Sequence, residues 1–439
     1  MAAVYHATFW TGHAESITAA PWTWRDLATH PLATTSFAGA RPCKDRRVTT
    51  RGGRRLRVLC TSTGGAGHIH ALAPLALALR DGGHHVHWAI AQDGGNAVAT
   101  MGFEWSAAGM TTSARRDAAS ADLPGIMQLP MADRRGPLFA AFFARAAGPV
   151  MQRDLAPVFD RMRPDVVVRE VAELAAAPMA AARGIPLVTV AFSGVLPEPA
   201  RRLVLDDLRP LWHGEGLDDP AWSDVYGQLY VHPFPASFGQ RPDFGAVRLI
   251  RAGAGTSSEN PPDWLADLGA NRQCVYVTSG TERASTTFPW CEVLAAVRDL
   301  DLDAVATIGP HVDPTALGAV PSHVRVERFV PQAALLGRVT AVISHGGAGT
   351  VLGAAAHGRP QLVIPLFADQ WDNGIAVRDA GSGILVDPDR RSVEDLKTSL
   401  RTLLDGTSHR DAAARVADEI ATMPTPSDLV AEIETLARN

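Results

Sequence analysis

The sequence predicts an α/β protein made of two doubly wound domains that face each other across a cleft. The chain has 439 residues, which is more than one hydrophobic core usually holds. From Arg55 onward, short apolar runs alternate with helix-like segments, as in parallel sheets covered by helices on both faces. A stretch rich in small residues and proline, within residues 246–270, interrupts this alternation and predicts a linker.

The apolar runs that predict strands form one series before the linker and one after it. The predicted strands are Leu56–Cys60, Val86–Ala91, Val166–Val168 and Leu187–Phe192, then Cys274–Thr278, Ala304–Ile308, Val324–Val326, Ala341–Ser344 and Leu362–Ile364. The resulting organisation is a leader at 1–53, an N-terminal domain at 54–245, the linker at 246–270, a C-terminal domain at 271–410 and a helical segment at 411–439. The leader lacks clean periodicity. We expect it to be disordered or translated from an upstream start codon, with an acceptor-capping segment as the alternative.

Composition and charge limit the classes of partner. Charged residues make up 20% and apolar residues 46% of the chain, as in soluble globular proteins. The net charge of −5 argues against a nucleic-acid or anionic-membrane partner. No apolar run approaches the roughly 20 residues that a membrane span needs, and Met1–Trp10 lacks the pattern of a secretory signal. Cys43, Cys60, Cys274 and Cys291 show no C-x-x-C spacing, so we expect free thiols in a reducing cytoplasm.

The segment from Ala341 to Gln370 predicts an anion-binding turn. A strand-like run is followed by His345 and a glycine cluster, then by an Ala-rich helix-like stretch and a second strand at Gln361–Leu366. In such a βαβ unit the first turn points backbone N–H groups and a helix N-terminus at one spot, which suits a phosphate or diphosphate. The Lys of a phosphate-binding P-loop is missing, which favours a diphosphate that departs as a leaving group.

The motif His345-Gly-Gly-Ala-Gly-Thr350, followed by Asp369-Gln370, resembles the donor-binding segment of family 1 glycosyltransferases of the GT-B fold. Phe329-Val330-Pro331-Gln332 resembles the element that borders the nucleobase in the same family, which includes enzymes that modify antibiotics and other natural products. The resemblance extends from Arg55 to the C-terminus. It implies two Rossmann-like domains, and a final helix that crosses back to the first domain.

A second glycine-rich loop, Thr61-Ser-Thr-Gly-Gly-Ala-Gly-His68, follows the first predicted strand. It resembles the acceptor loop of the family, which implies that His68 is the general base that deprotonates the acceptor. Histidine titrates near neutral pH, which suits this task. His70 is the second choice, and a local helix-capping role for His68 is the alternative. The family often has Pro where this chain has Ala71.

Glu170 is the candidate partner of His68. It follows a predicted strand and falls where the family commonly has Asp, counting back from Gly184-Ile185-Pro186. A carboxylate there would fix the tautomer of the base and stabilise the imidazolium. The alternative is a solvated loop carboxylate.

The resemblance also assigns the donor-binding residues. His345 would contact the diphosphate, the loop at Ser279 would face the donor, Phe329 or Val330 would border the base, Gln332 would reach the ribose, and Asp369 would bind sugar hydroxyls. The remaining predicted donor-binding residues are Gly280, Thr281, Gly347, Ala348, Gly349, Thr350 and Gln370. Many relatives that use UDP-sugars have Glu where this chain has Gly353, which favours a dTDP-deoxysugar over a UDP-sugar.

Acidic pairs that mimic a metal-binding D-x-D motif (Asp299, Asp301, Asp303, Asp387 and Asp389) are interpreted as solvated loop charges. We therefore expect no metal and no cofactor beyond the nucleotide sugar.

The predicted function is an inverting O-glycosyltransferase that moves a deoxysugar from dTDP to a bulky, largely apolar natural-product aglycone. Residues Pro124–Phe159 and Leu196–Phe244 are candidates for the acceptor wall. The alternatives are a UDP-sugar donor, a nucleotide-sugar 2-epimerase and a non-catalytic auxiliary that binds a nucleotide or stabilises a partner transferase. The predicted partners are the nucleotide sugar and the apolar acceptor, and a homodimer is left open.

Overall fold

The structure of the protein is a computed structural model, and it describes residues 54–239, 242, 245–251, 262–268, 272–281 and 286–438. The predicted leader at 1–53 lies outside these residues, as do 252–261 and 269–270 of the predicted linker. The described residues belong to one compact unit.

Within the described residues, the first sheet has seven parallel strands in the order β3-β2-β1-β4-β5-β6-β7. The strands are β1 (Arg57–Ser62), β2 (His85–Ile90), β3 (Glu104–Ala107), β4 (Val166–Glu170), β5 (Leu187–Val190), β6 (Leu229–His232) and β7 (Val247–Leu249). The central strands are apolar on both faces, and Cys60 pairs with Trp88 and Val168 on either side. A strand buried on both faces reads as a continuous apolar run, which is why the sequence predicted these strands.

The prediction of a linker from residue 246 was wrong at its beginning. Val247–Leu249 is the edge strand β7, and Tyr230 of β6 pairs with Val247. A strand of three residues with only one face on the core is too short to show a clear alternation of apolar and polar residues. The sequence therefore could not distinguish it from the loop of small residues that follows.

The second sheet is also parallel, with six strands in the described residues and the order β10-β9-β8-β11-β12-β13. The strands are β8 (Cys274–Thr278), β9 (Asp303–Thr307), β10 (Val324–Glu327), β11 (Ala341–Ser344), β12 (Gln361–Val363) and β13 (Gly383–Leu385). In both sheets the strand order reverses once, between β1 and β4 and between β8 and β11. At such a reversal the loops leave the strands in opposite directions, which opens a crevice at the carboxyl ends. The predicted α/β architecture of two doubly wound sheets is confirmed.

Helices cover both sheets and connect their strands. The α-helices are α1 (Ala66–Asp81), α2 (Gly95–Thr100), α3 (Thr112–Ala118), α4 (Leu123–Met127), α5 (Arg135–Phe139), α6 (Gly148–Met162), α7 (Ala176–Ala182), α8 (Glu198–Gly214), α9 (Trp222–Tyr226), α10 (Trp290–Asp299), α11 (Gln332–Leu336), α12 (Ala348–Ala356), α13 (Gln370–Asp379), α14 (Val393–Asp405), α15 (Ser408–Thr422) and α16 (Val430–Leu436). A π-helix, Ala140–Ala147, lies between α5 and α6. No helix in the described part of the chain is long and apolar enough to cross a membrane.

The end of the chain packs against the first sheet. Leu429 and Ile433 are buried in the same apolar cluster as Val58 of β1, and Glu432 forms an ion pair with Arg248 of β7. In the opposite direction, Phe234, which follows β6, is buried in a cluster of second-domain side chains. Each domain therefore contributes side chains to the core of the other.

The first prediction concerns this terminal helix. Ile433→Ala is expected to lower the free energy of unfolding by about 2–5 kcal/mol, because it removes a fully buried side chain and leaves a cavity. Thr435→Ala, at an exposed position of the same helix, should change it by less than about 0.5 kcal/mol. Urea unfolding followed by tryptophan fluorescence measures both values. Equal midpoints for the two variants would show that the helix is not part of the core.

Candidate active site

His68 and Glu170 meet at the strand reversal of the first sheet. His68 lies in the first turn of α1, directly after the glycine loop, and Glu170 is the last residue of β4. The Nδ1 atom of His68 is 3.2 Å from Oε1 of Glu170, within ion-pair distance, although the ring N–H is not aligned as in a hydrogen bond. The His68 side chain remains 15% exposed, while that of Glu170 is fully buried. The alternative of a solvated loop carboxylate is therefore wrong.

The Glu170 carboxylate is held in its charged form. Its Oε1 accepts hydrogen bonds from the backbone N–H of Thr63 at 3.1 Å and from the Thr63 hydroxyl at 2.9 Å, and its Oε2 accepts one from the N–H of Ala172 at 2.6 Å. Burial alone would raise the pKa of Glu170. The charge of His68 and these backbone hydrogen bonds outweigh burial, so the pKa lies below its ordinary value.

A buried ionic cluster lies behind this pair. The Arg169 guanidinium donates to the carbonyl oxygens of Glu173 at 2.6 Å and of Val225 at 2.5 Å. The Glu173 carboxylate accepts from the Thr61 hydroxyl at 2.5 Å and from the N–H of Ala175 at 2.8 Å. Burial lowers the pKa of Arg169 and raises the pKa of Glu173, and their mutual attraction opposes both shifts. The cluster thus fixes the backbone on both sides of Glu170.

Aromatic rings surround the imidazole of His68. The ring centroid of Phe192 lies 4.8 Å from that of His68, and Phe143 lies 5.5 Å away, both in edge contacts. Phe143 belongs to the π-helix and also carries the Arg115 guanidinium 4.9 Å above its ring. Phe143 falls inside the predicted acceptor wall 124–159. Aromatic rings thus contact His68 in addition to the Glu170 carboxylate, and they provide the apolar surface that an apolar acceptor requires.

The glycine turn of the second sheet leaves a helix N-terminus without a side-chain cap. Helix α12 begins at Ala348, and its N-cap residue, Gly347, has no side chain that could accept a hydrogen bond from the first N–H groups. The helix start also includes Gly349, which is exposed, and Thr350, which is half-buried. Uncapped N–H groups at the start of a helix favour an anion.

The His345 ring fits between two glycines of different loops. A Cβ atom at Gly280 would come within 2.6 Å of the ring, and one at Gly347 within 2.5 Å, so side chains are excluded at both positions. Burial lowers the pKa of His345 to about 4, so the ring is neutral at pH 7. Among the described residues, Nδ1 of His345 and the hydroxyl of Ser279 are buried polar atoms without a hydrogen-bond partner. Thr281, in the same loop, is exposed.

The Asp369-Gln370 pair is tied to the glycine turn. Asn373 donates to Oδ2 of Asp369 at 3.0 Å and to the carbonyl of Gly346 at 2.9 Å. Burial raises the pKa of Asp369, against the effect of the Arg135 charge. Oε1 of Gln370 accepts the N–H groups of Leu366 at 2.8 Å and of Phe367 at 2.9 Å, so both lone pairs of this oxygen are used in the turn and only the amide nitrogen remains for a sugar.

The residues predicted to contact the nucleoside separate into exposed and buried ones. Phe329 is 63% exposed, whereas Val330 is packed in the core, so only Phe329 offers side-chain surface to a nucleobase. A Cβ atom at Gly353 would lie 3.1 Å from Oε1 of Gln332. The residue predicted to select the nucleotide and the residue predicted to reach the ribose therefore lie side by side.

The acidic pairs predicted to be solvated lie at the surface. Asp299, Asp301, Asp387 and Asp389 are exposed, and Asp303 is half-buried and 3.5 Å from Arg272. Among the residues that the structure describes, no three His, Cys, Asp or Glu side chains are grouped to hold a metal ion. Metal-independent transfer remains a prediction.

Comparison with known proteins identifies the family. Residues 291–436 match the model of the erythromycin biosynthesis protein CIII-like C-terminal domain. The chain is 31% identical over 412 residues to the elloramycin glycosyltransferase of Streptomyces olivaceus, covering 87% of this chain and 97% of that protein. It is 28% identical over 425 residues to the 3-alpha-mycarosylerythronolide B desosaminyl transferase of Saccharopolyspora erythraea, covering 87% and 98%.

Solved structures agree with this assignment. The glycosyltransferase SnogD from Streptomyces nogalater superposes with a TM-score of 0.69 at 29% identity, over 88% of this chain and all of that one. The spinosyn rhamnosyltransferase SpnG, complexed with thymidine diphosphate, superposes with a TM-score of 0.72 at 25% identity, over 86% of this chain. The protein is thus a glycosyltransferase of the GT-B fold. It belongs to the family 1 enzymes of natural-product, antibiotic type.

Four side chains of the site were not predicted individually. Thr63 donates to the carboxylate of Glu170 and Asn373 to that of Asp369, and the rings of Phe143 and Phe192 contact the His68 ring. Two signals were present in the sequence. Phe192 ends an apolar run and hence stands at the carboxyl end of a strand, and Asn373 lies one helical turn after Asp369. The contacts of Thr63 and Phe143 depend on tertiary packing.

The second prediction concerns Glu170. At pH 7, Glu170→Gln should lower the free energy of unfolding by about 1–3 kcal/mol, because the charged acceptor of several buried hydrogen bonds is lost. A lowered folded-state pKa stabilises the fold above the ordinary value of 4.5, and this contribution disappears as the pH falls through the folded-state pKa. The gap between wild type and variant should therefore shrink below pH 4.5 in urea unfolding experiments. If the difference in unfolding free energy between wild type and Glu170→Gln stays constant down to acidic pH, the prediction is contradicted. Glu104→Gln, which changes an exposed glutamate, is the control.

Proposed function

We propose that the protein is an inverting O-glycosyltransferase that moves a deoxysugar from a dTDP-sugar to an apolar natural-product aglycone. The observation that carries this proposal is the contact between Nδ1 of His68 and the buried carboxylate of Glu170, 3.2 Å apart at the reversal of the first sheet. A charged carboxylate beside Nδ1 favours the tautomer that carries its proton there, which leaves the lone pair on Nε2.

His68 is the base in this proposal. The hydroxyl oxygen of the acceptor attacks the anomeric carbon while Nε2 takes its proton, and the bond from that carbon to the diphosphate oxygen breaks with both electrons on the diphosphate. A single displacement of this kind inverts the anomeric carbon. Glu170 stabilises the imidazolium that forms, as in other histidine–carboxylate pairs.

The glycine turn receives the leaving diphosphate. The uncapped N–H groups at the start of α12 stabilise the charge that develops on it, and they are fixed in place before the reaction begins. The hydroxyl of Ser279 is suited to the same anion, because it lacks a partner among the described residues. Neutral His345 binds as a hydrogen-bonding group and adds no charge. No metal or other cofactor enters this scheme.

Two observations favour dTDP as the nucleotide. Gly353 provides no carboxylate for a ribose 2′-hydroxyl, and the neighbouring Gln332 occupies the space beside it. The related SpnG structure contains thymidine diphosphate, whose sugar has no 2′-hydroxyl. The exposed ring of Phe329 is available to stack on the base. The aromatic rings beside His68 suit a bulky apolar acceptor, and the related desosaminyl transferase is named for the acceptor 3-alpha-mycarosylerythronolide B.

The third prediction tests the base. His68→Ala should lower turnover by roughly 10²–10⁴-fold while the affinity for dTDP stays within about twofold, because the base contacts the acceptor and not the nucleotide. His70→Ala is the matched control, since His70 is exposed on the same helix. Release of dTDP from dTDP-sugars, assayed against a panel of polyketide aglycones, gives turnover, and calorimetry gives affinity. Unchanged turnover in His68→Ala would refute the assigned base.

The fourth prediction tests the donor. Calorimetry should show dTDP bound roughly 10-fold or more tightly than UDP, because the 2′-hydroxyl of UDP would lack an acceptor. Gly353→Glu should shift this preference towards UDP, whereas Gly353→Ala adds only a Cβ atom and should not. Equal affinities for the two nucleotides in the wild type would refute the dTDP assignment and leave a UDP-sugar transferase. Binding of neither would favour the non-catalytic alternative.

A further inference from the structure

A buried arginine of the first domain contacts the donor segment of the second domain. Arg135 begins helix α5, and Asp372 lies in the first turn of α13, three residues after Asp369. The Nη1 atom of Arg135 is 2.6 Å from Oδ2 of Asp372, and the two side chains are 8% and 23% exposed. The ion pair therefore joins the predicted acceptor wall to the helix that begins at the Asp369-Gln370 motif.

The same guanidinium holds the loop that follows β5. Its Nη2 donates to the Ser193 hydroxyl at 3.0 Å and to the carbonyl of Gly194, and its Nη1 donates to the carbonyl of Val195 at 3.2 Å. This loop begins directly after Phe192, whose ring packs against His68 at 4.8 Å. Arg135 is thus linked to the surroundings of the base on one side and to the donor segment on the other.

A second contact fixes the other side of Asp369. The Phe367 ring packs against a cluster of first-domain side chains that includes Leu138 and Ala141. Between Phe367 and Asp369, Ala368 has φ 55°, a left-handed conformation that is unfavourable for alanine. Such a conformation persists where the surrounding contacts impose it. Phe367 and Asp372 are both held by the first domain, and Asp369 lies between them.

We propose that Arg135 is a positioning residue that couples the two halves of the site, aligning Asp369 for the donor sugar with His68 for the acceptor. The roles of Asp369 and His68 rest on the proposed function, whereas the coupling itself is a property of the protein alone. The buried guanidinium has Asp372 as its ionic partner, so loss of the Asp372 charge leaves the Arg135 charge buried and poorly compensated and weakens the contact between the two segments. The Arg135 charge also opposes the rise that burial causes in the pKa of Asp369.

Hydrogen–deuterium exchange of the full-length protein tests the coupling with Asp372→Asn, which removes the charge and keeps the size. Exchange should become roughly fivefold or more faster in both 135–143 and 366–370, because the contact that joins them is weakened. Asp207→Asn is the matched control. Asp207 is 22% exposed and pairs with Arg145 at 2.5 Å within the first domain, so this change should leave 366–370 unaffected. Exchange in Asp372→Asn that matches the wild type in either segment would overturn the proposal.

Addition of dTDP separates this proposal from the proposed function. In the wild type, dTDP should slow exchange in 366–370 and also in 135–143, which belongs to the acceptor side. In Asp372→Asn, dTDP should slow exchange in 366–370 but not in 135–143. The urea unfolding midpoint of Asp372→Asn should be the same as that of Asp207→Asn. If the wild type binds no dTDP, the donor assignment fails, and the comparison without nucleotide still decides the coupling. If dTDP slows exchange in 135–143 equally in the wild type and in Asp372→Asn, the positioning role of Arg135 is overturned.

Discussion

The reversal of strand order in each parallel sheet is the constraint on which the site depends. Loops that leave neighbouring strands in opposite directions cannot fill the space between them, so side chains and backbone groups at the carboxyl ends converge there. In the first sheet this brings His68, after β1, to Glu170 at the end of β4. In the second it brings Gly280, after β8, onto the ring of His345, after β11. Residues more than 60 positions apart in the chain thus meet because of the topology.

The two crevices present opposite electrostatic environments. The first contains a buried negative charge, which Thr63 and the backbone stabilise and which suits the imidazolium that His68 would form in the proposed reaction. The second contains a neutral histidine and an uncapped helix N-terminus, which suit a diphosphate that becomes more negative. In the proposed mechanism, the proton and the leaving group move towards groups that are oriented before the substrates bind. Such preorganisation is a large source of catalytic power because no solvent must rearrange.

Local sequence patterns predicted the fold and proposed a chemistry for the two loops, but they did not predict contacts between distant parts of the chain. Apolar runs identified the central strands because both faces are buried, but the short edge strand Val247–Leu249 has no such signature. The resemblance selected His68, Glu170 and the glycine turn as candidates from their neighbours in sequence. The contact of Arg135 with Asp372 joins residues 237 positions apart, and neither stands in a motif. Its existence depends on how the domains pack, which no local pattern encodes.

The course of the chain at the domain boundary determines which exchanges of the second domain leave the core around the first sheet intact. In the described residues, the chain leaves the first sheet after β7 and returns before Leu429, and the N–H of Arg251 donates to the carbonyl of Pro424 at 2.8 Å, where the two passages lie side by side. A chimera joined at both passages would keep the terminal helix with its own core. A chimera joined at the first passage alone would bring in a foreign helix, whose side chains must fit the surface around Val58. Recombination of donor and acceptor preferences between relatives is therefore best made as a two-point exchange.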